Sequence, residues 1–249
     1  MTGRPAPRIG AVRARDPRVI RQRWRDLLFV HWPVEVERVR PLVPSALALD
    51  RHDGAAWVTL IPFLIAESRP SWMPRALANA FLETNLRTYV RGPDGEPGIY
   101  FFSLEAASPI AVAGARLGFG LPYFLAAMSR QVSGDRIVYA SRRRLGPPAA
   151  LSATWTVGEA IGTATPGSRE HFLIERYTLY VERRGRLFRG RVRHAPYPLH
   201  RATIEHLTES LSAAAGLPAP GSLPLSQHSP GVDVEILPLE RAPDRSRAA

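Results

Sequence analysis

The stretch Glu83-Thr84-Asn85-Leu86-Arg87-Thr88-Tyr89 alternates in a way that suits an extended strand. A strand sends successive side chains to opposite faces, so Glu83, Asn85, Arg87 and Tyr89 share one face. Leu82, Leu86 and Val90 share the other with Thr84 and Thr88. One reading puts the polar row inside a curved sheet as the lining of a cavity, with Arg87 offered to a carboxylate or carbonyl and Glu83 able to exchange protons. In the alternative, the row faces solvent, or Glu83 and Arg87 close a buried network that only holds the sheet together. Because the opposite face already offers leucine and valine for packing, the row is expected to point inward. A curved sheet covered outside by helices would then bury both faces.

Working outward, Gly92-Pro93-Asp94-Gly95-Glu96-Pro97-Gly98 reads as a turn joining strand 81–91 to strand 99–106 as a hairpin. The second strand carries Tyr100, Phe102 and Leu104 on one face and Phe101, Ser103 and Glu105 on the other. Its register is not fixed by sequence, so Ser103 and Glu105 stand as candidate cavity residues. Further strands are expected at 27–32, 55–67, 123–132, 136–143, 152–157, 177–183 and 187–194. A short helix is expected from Pro17 into the first of these. Helical patterns also cover 35–42 and 109–117, and 205–215 reads as strand turning to helix. Many hairpins with few helices give an α+β, mainly β class built on a closed or strongly curved sheet.

No lysine and no cysteine occurs among the 249 residues, and the 33 basic side chains are all arginine. Side-chain imine chemistry needs an amine that can lose its proton, which a guanidinium cannot supply. Thiolate nucleophiles, thiolate metal ligands and a disulfide framework are also excluded. The net charge is +11, but residues 1–25 hold eight arginines against Asp16 alone, so most of the excess sits in a basic arm. Nucleic-acid binding through that arm is therefore the weakest reading. Residues 1–16 are expected to form a disordered arm, 17–240 a single domain and 241–249 a flexible tail. No secretory signal and no membrane span is expected, and the composition fits a reducing cytoplasm.

Among the histidines, His31 in its apolar strand reads as a satisfied core residue, and His194, His200 and His206 match no metal spacing. His171 and Glu175 could share a helical face but lack a third ligand, so capping or surface pairing is preferred, and neither metal nor cofactor is expected. Nucleophile elbow, phosphate loop and dinucleotide fingerprint are all missing.

Several segments together resemble the YqjF-like uncharacterised family. They are Phe29-Val30-His31-Trp32-Pro33-Val34, Arg40-Pro41-Leu42-Val43-Pro44, Trp57 with Pro62-Phe63, the run from Glu83 to Val90, and Tyr100-Phe101-Phe102-Ser103-Leu104. Leu121-Pro122-Tyr123-Phe124, Glu170-His171-Phe172-Leu173 with Glu175-Arg176-Tyr177, and Pro196-Tyr197-Pro198-Leu199 extend the likeness over about residues 20–238. That family is similar in fold to acetoacetate decarboxylase, which implies a curved antiparallel sheet around a central cavity with a few peripheral helices. The decarboxylase carries a lysine pair after an Ala-Gly-Arg-type helix. The similar stretch here is Ala113-Gly114-Ala115-Arg116 followed by Gly120-Leu121-Pro122-Tyr123-Phe124, so Tyr123 and Phe124 occupy the pair. The frame is kept and the imine nucleophile is gone.

The leading expectation is a small-molecule carboxylate or carbonyl ligand in the cavity, with Glu83 and Tyr123 as catalytic residues. Asn85, Arg87, Tyr89, Ser103 and Arg116 are then the ligand-binding residues, and the chemistry is proton transfer or lyase chemistry without an imine. A non-catalytic scaffold or oligomerisation module, its cavity filled by aromatics, is the alternative. Homo-oligomers are compatible with either.

Overall fold

The computed structural model describes residues 16–221 and 224–243. Most of the expected basic arm therefore lies outside the described residues. Asp16, at its end, accepts a hydrogen bond from the Ser71 hydroxyl through its carbonyl. Thirteen strands run through the described residues in the order β1 (Ile20–Val34), β2 (Ala48–Leu49), β3 (Ala56–Pro70), β4 (Asn79–Arg91), β5 (Pro97–Ala106), β6 (Tyr123–Ser133) and β7 (Arg136–Arg143). They continue with β8 (Ala150–Gly162), β9 (Thr178–Arg183), β10 (Arg186–Arg193), β11 (Leu199–Glu209), β12 (Leu225–Ile236) and β13 (Glu240–Arg241). Short helices α1 (Val36–Val39), α2 (Pro109–Gly114), α3 (Arg169–Ile174) and α4 (Leu211–Ala214) connect them, and α2 runs on as a π-helical turn over Ala115–Phe119.

All strands belong to one sheet whose pairings return on themselves twice. β12, β1, β3, β4 and β5 form a shared wall. On one side β9 and β10 complete a circuit from β5 back to β12; on the other, β6, β7, β8 and β11 complete a second. Two of the closing ladders are only two residue pairs long, Val192↔Ile236 with Arg193↔Glu235 and His200↔His228 with Arg201↔Gln227. The form is accordingly a large curved sheet rather than an uninterrupted barrel.

This arrangement explains why β1 and β3 carry apolar residues on both faces. Leu27, Phe29, Ile61 and Phe63 pack in the first core, whereas their neighbours Leu28, Val30, Leu60 and Leu86 pack in the second with Tyr139, Leu151 and Trp155. The second face of β4 is thus covered by β7 and β8, not by the helices expected from sequence. Thr84 and Thr88 are tolerated there because each hydroxyl is used, donating to the Tyr139 hydroxyl and the Trp57 carbonyl.

The helix expected from Pro17 is instead the start of β1. Ile20, Gln22 and Trp24 face the cavity, while the alternating Arg21, Arg23 and Arg25 pair outward with Glu235 and Asp233. The sheet also departs from wholly antiparallel pairing, since β5 runs parallel to both β6 and β9. The α2 crossover between β5 and β6 makes that direction attainable. At the C-terminal end Arg241 pairs with Phe188 and Ala242 is buried, so these two residues of the expected tail are held in the fold, and 244–249 lie outside the described residues. β12 was not expected; its Val232, Val234 and Ile236 alternate inward.

Candidate functional site

The first circuit encloses a cavity of about 570 Å³. Glu83, Asn85 and Arg87 of β4 line it together with Phe101 and Leu104 of β5, Tyr123 of β6 and Leu179 of β9. Register delivers them: Glu83, Asn85 and Arg87 are alternate residues of one strand, and their β3 partners Phe63, Ile61 and Thr59 present the same face. The three side chains are 3%, 8% and 7% exposed. Asn85 Oδ1 and Arg87 Nε have no hydrogen-bond partner, and among the described residues no carboxylate forms an ion pair with Arg87. A buried guanidinium left without a counter-charge costs several kcal/mol, roughly 3–5 when a pair is broken.

Arg87 is held by the end of a helix. The last carbonyls of a helix have no partner within it, and α3 presents two of them to arginines. Arg87 donates to the Leu173 carbonyl at 3.0 Å, and Arg176 Nε donates to the Phe172 carbonyl at 2.7 Å. Ser168 starts the helix by accepting the His171 backbone N–H at 3.1 Å. Tyr89, expected in the ligand set, sits behind this contact rather than in the lining, and its hydroxyl donates to the same Leu173 carbonyl at 2.6 Å.

Because Tyr89 has one proton and gives it to Leu173, the Thr59 hydroxyl must donate to Tyr89 at 2.5 Å. His31 Nδ1–H then donates to Thr59 at 2.8 Å. Burial, reinforced by the Arg87 charge, pulls the His31 pKa down to about 3, so the ring is neutral and the chain of bonds keeps this direction. His31 is a core residue as expected, although its Nε2 lacks a partner.

Glu83 accepts a hydrogen bond from the Tyr123 hydroxyl at 2.9 Å. Burial pushes its carboxyl up to about 8 against the opposing pull of Tyr123 and Asn85, with the nearby Glu105 charge adding to the rise. Near neutrality Glu83 therefore carries its proton most of the time. Burial and Glu83 together hold the Tyr123 phenol well above its ordinary range, so it serves as a neutral donor.

Three further candidates lie elsewhere. A bulge in the β4–β5 ladder sets Leu86 opposite Ser103 but Arg87 opposite Phe101, so Phe101 and Leu104 take the cavity face. Ser103 and Glu105 are outside the lining: Ser103 donates to Glu105, which is ion-paired with Arg143. Arg116 is exposed on the π-helical turn, 5.7 Å from the Phe124 ring. Glu175 is buried and not a surface partner of His171; its oxygens accept from the Tyr197 backbone and the Tyr177 hydroxyl.

Sequence reasoning missed Arg176 and Tyr177, which line the cavity, and the Leu173 carbonyl that anchors Arg87. It also missed His194, which packs 4.7 Å from both Tyr177 and Tyr197 with Nδ1 on the Ala195 carbonyl at 2.8 Å. The Glu175-Arg176-Tyr177 run was the available signal. Among the described residues no group of three or more His, Cys, Asp or Glu is placed to hold a metal. No helix of the described residues is long and apolar enough to cross a membrane.

This curved sheet is a fold shared with solved structures, acetoacetate decarboxylase among them. Acetoacetate decarboxylase from Legionella pneumophila matches with a TM-score of 0.62 at 14% identity, covering 97% of this chain and 92% of its own. The enduracididine biosynthesis enzyme MppR, solved with pyruvate, matches with a TM-score of 0.65 at 15% identity over 96% of each chain. Within that fold the chain belongs to the DUF2071 family of uncharacterized conserved proteins, whose profile matches residues 21–233. It is 42% identical to the uncharacterized protein YqjF of Bacillus subtilis over 224 residues, 90% of this chain and 92% of the relative.

Proposed function

We propose that the protein binds a small carboxylate or carbonyl compound in the β4-lined cavity and moves a proton on it without forming an imine. The observation that carries this reading is Arg87, buried, facing open space and lacking any carboxylate partner among the described residues. A ligand carboxylate would supply the missing counter-charge in a planar two-pronged contact. Asn85 lies beside it with an unused acceptor, and Glu83 with Tyr123 supplies a carboxyl able to hold or release a proton near neutral pH.

In its ionised form Glu83 accepts a proton from the carbon next to a carbonyl, and hydrogen-bond donors around the oxygen stabilise the enolate. Returning the proton to either carbon or oxygen completes a tautomerisation that needs no co-reactant. A lyase step through the same enolate is equally open to this geometry. The chain has no lysine, so no side-chain amine is present for an imine. That a structural neighbour was solved with pyruvate supports a keto acid as the first ligand to try. About 570 Å³ of open space weighs against a scaffold whose cavity is filled by its own aromatics.

A thermal-shift series with small keto acids and hydroxy acids tests the reading, since a ligand specific to the folded state raises the melting point. The expected result is a shift in the wild type that Arg87→Lys largely abolishes, because a point charge cannot reproduce the guanidinium fork. Equal shifts in wild type and Arg87→Ala would overturn it.

A further inference from the structure

We infer that the ligand is not a compact keto acid but a carboxylate with an extended apolar body, its head at Arg87 and its body running along β4 towards an open apolar mouth. This inference rests on the ligand site proposed above and specifies its substrate class.

The first argument is spacing. Glu83 and Arg87 are four residues apart on a strand, so their backbones are separated by about 13 Å at roughly 3.3 Å per residue. Asn85 stands between them on the same face. A three-carbon keto acid set between Arg87 and Glu83 leaves everything beyond Glu83 untouched. The second argument is volume. At roughly 30 Å³ per water, 570 Å³ corresponds to about 19 water volumes, several times what such an acid fills.

The third argument is the chemistry of the walls. Beyond Glu83 the cavity face of β4 continues with Phe81 and Asn79, and Phe119, Leu121, Gln22, Ser68 and Arg69 line the same cavity. The aromatic and aliphatic groups among them offer no hydrogen bonds, and the polar ones are engaged within the protein: Gln22 and Asn79 donate to the Ser68 and Ser108 hydroxyls, and Arg69 is ion-paired with Glu67. The path ends at Leu77 and Ile110, which line the cavity yet are 69% and 81% exposed. Large side chains left in water at the rim of an apolar cavity gain burial when an apolar body lies across them.

Isothermal titration with pyruvate, 2-oxohexanoate and 2-oxooctanoate tests this on the full chain, in wild type, Arg87→Met and Ala115→Trp. Ala115 is half-buried and lines the outer cavity, so tryptophan there obstructs the body without touching the head. Each added methylene should tighten binding about fourfold while it is being buried, so 2-oxooctanoate should bind more than a hundredfold tighter than pyruvate. Arg87→Met should weaken the whole series, and Ala115→Trp should weaken 2-oxooctanoate at least tenfold more than pyruvate. A series that is flat in wild type but lost in Arg87→Met would overturn this inference and leave the ligand site standing. Affinity that climbs with length but ignores Arg87→Met, or no binding by any acid, would overturn the site reading and this inference with it. Should Ala115→Trp fail to fold, the wild-type series decides alone.

Discussion

Glu83 and His31 are both buried titratable groups, and they bend the pH dependence of stability in opposite directions. Glu83 holds its proton more tightly in the folded state, with a pKa of about 8 against an ordinary 4.5. Its contribution is complete below 4.5 and is lost as pH rises to 8, because there the unfolded chain has already released the proton. His31, lowered from 6.5 to about 3, does the reverse: stability is complete above 6.5 and is lost as pH falls towards 3. Glu83→Gln should therefore flatten the alkaline loss, leave the acid loss in place and be the more stable protein at about pH 9. Denaturant titrations from about pH 5 to about pH 9 check this, and an unchanged alkaline limb in the variant would contradict it. Tyr89→Phe removes the hydroxyl that links Thr59 to the Leu173 carbonyl. It should cost about 1–3 kcal/mol and also weaken ligand binding, since Arg87 leans on the same carbonyl. Denaturation and titration of the one variant measure both effects.

At the scale of elements, the strands whose chemistry was plain in sequence are those with one dominant pattern. β4 shows a polar row against leucine and valine, and the 92–98 turn between β4 and β5 closes as expected, with Gly95 N–H on the Gly92 carbonyl at 2.9 Å. β1 and β12 were harder, each for its own reason. In the first half of β1 arginines alternate with Ile20, Gln22 and Trp24, so too few apolar residues mark the inward face of a strand. β12 is interrupted by Pro230 and Gly231, which break the apolar alternation before Val232 restores it. The two strands cross closely at that interruption. A Cβ on Gly231 would lie 1.9 Å from the Trp24 carbonyl oxygen, and its φ is +124°. Gly231→Ala should destabilise the fold by roughly 3 kcal/mol or more, through overlap and backbone strain together. A thermal melt within a degree or two of wild type would show that the crossing relaxes freely.

For the whole molecule, the polar face of β4 was legible but its surroundings were not. Alternation alone says that Glu83, Asn85 and Arg87 face one way; it does not say that the other face meets Tyr139 and Trp155 across a second circuit of strands. Nor could it find the bulge that removes Ser103 from the lining, or bring α3 from 86 residues away to hold Arg87. These are long-range pairings, and they decide which of the polar residues become a site. The proposed function requires that this site move a proton.

The direct measurement is proton NMR of a 2-keto acid in D₂O, following loss of the signal from the carbon next to the carbonyl. Wild type should catalyse exchange above the buffer rate, more so as pH rises to about 8 and ionises Glu83. Glu83→Gln should still give the ligand-induced rise in melting temperature yet exchange no faster than buffer. Exchange at the buffer rate in wild type, or at the wild-type rate in Glu83→Gln, would contradict the assignment of Glu83 as the group that carries the proton.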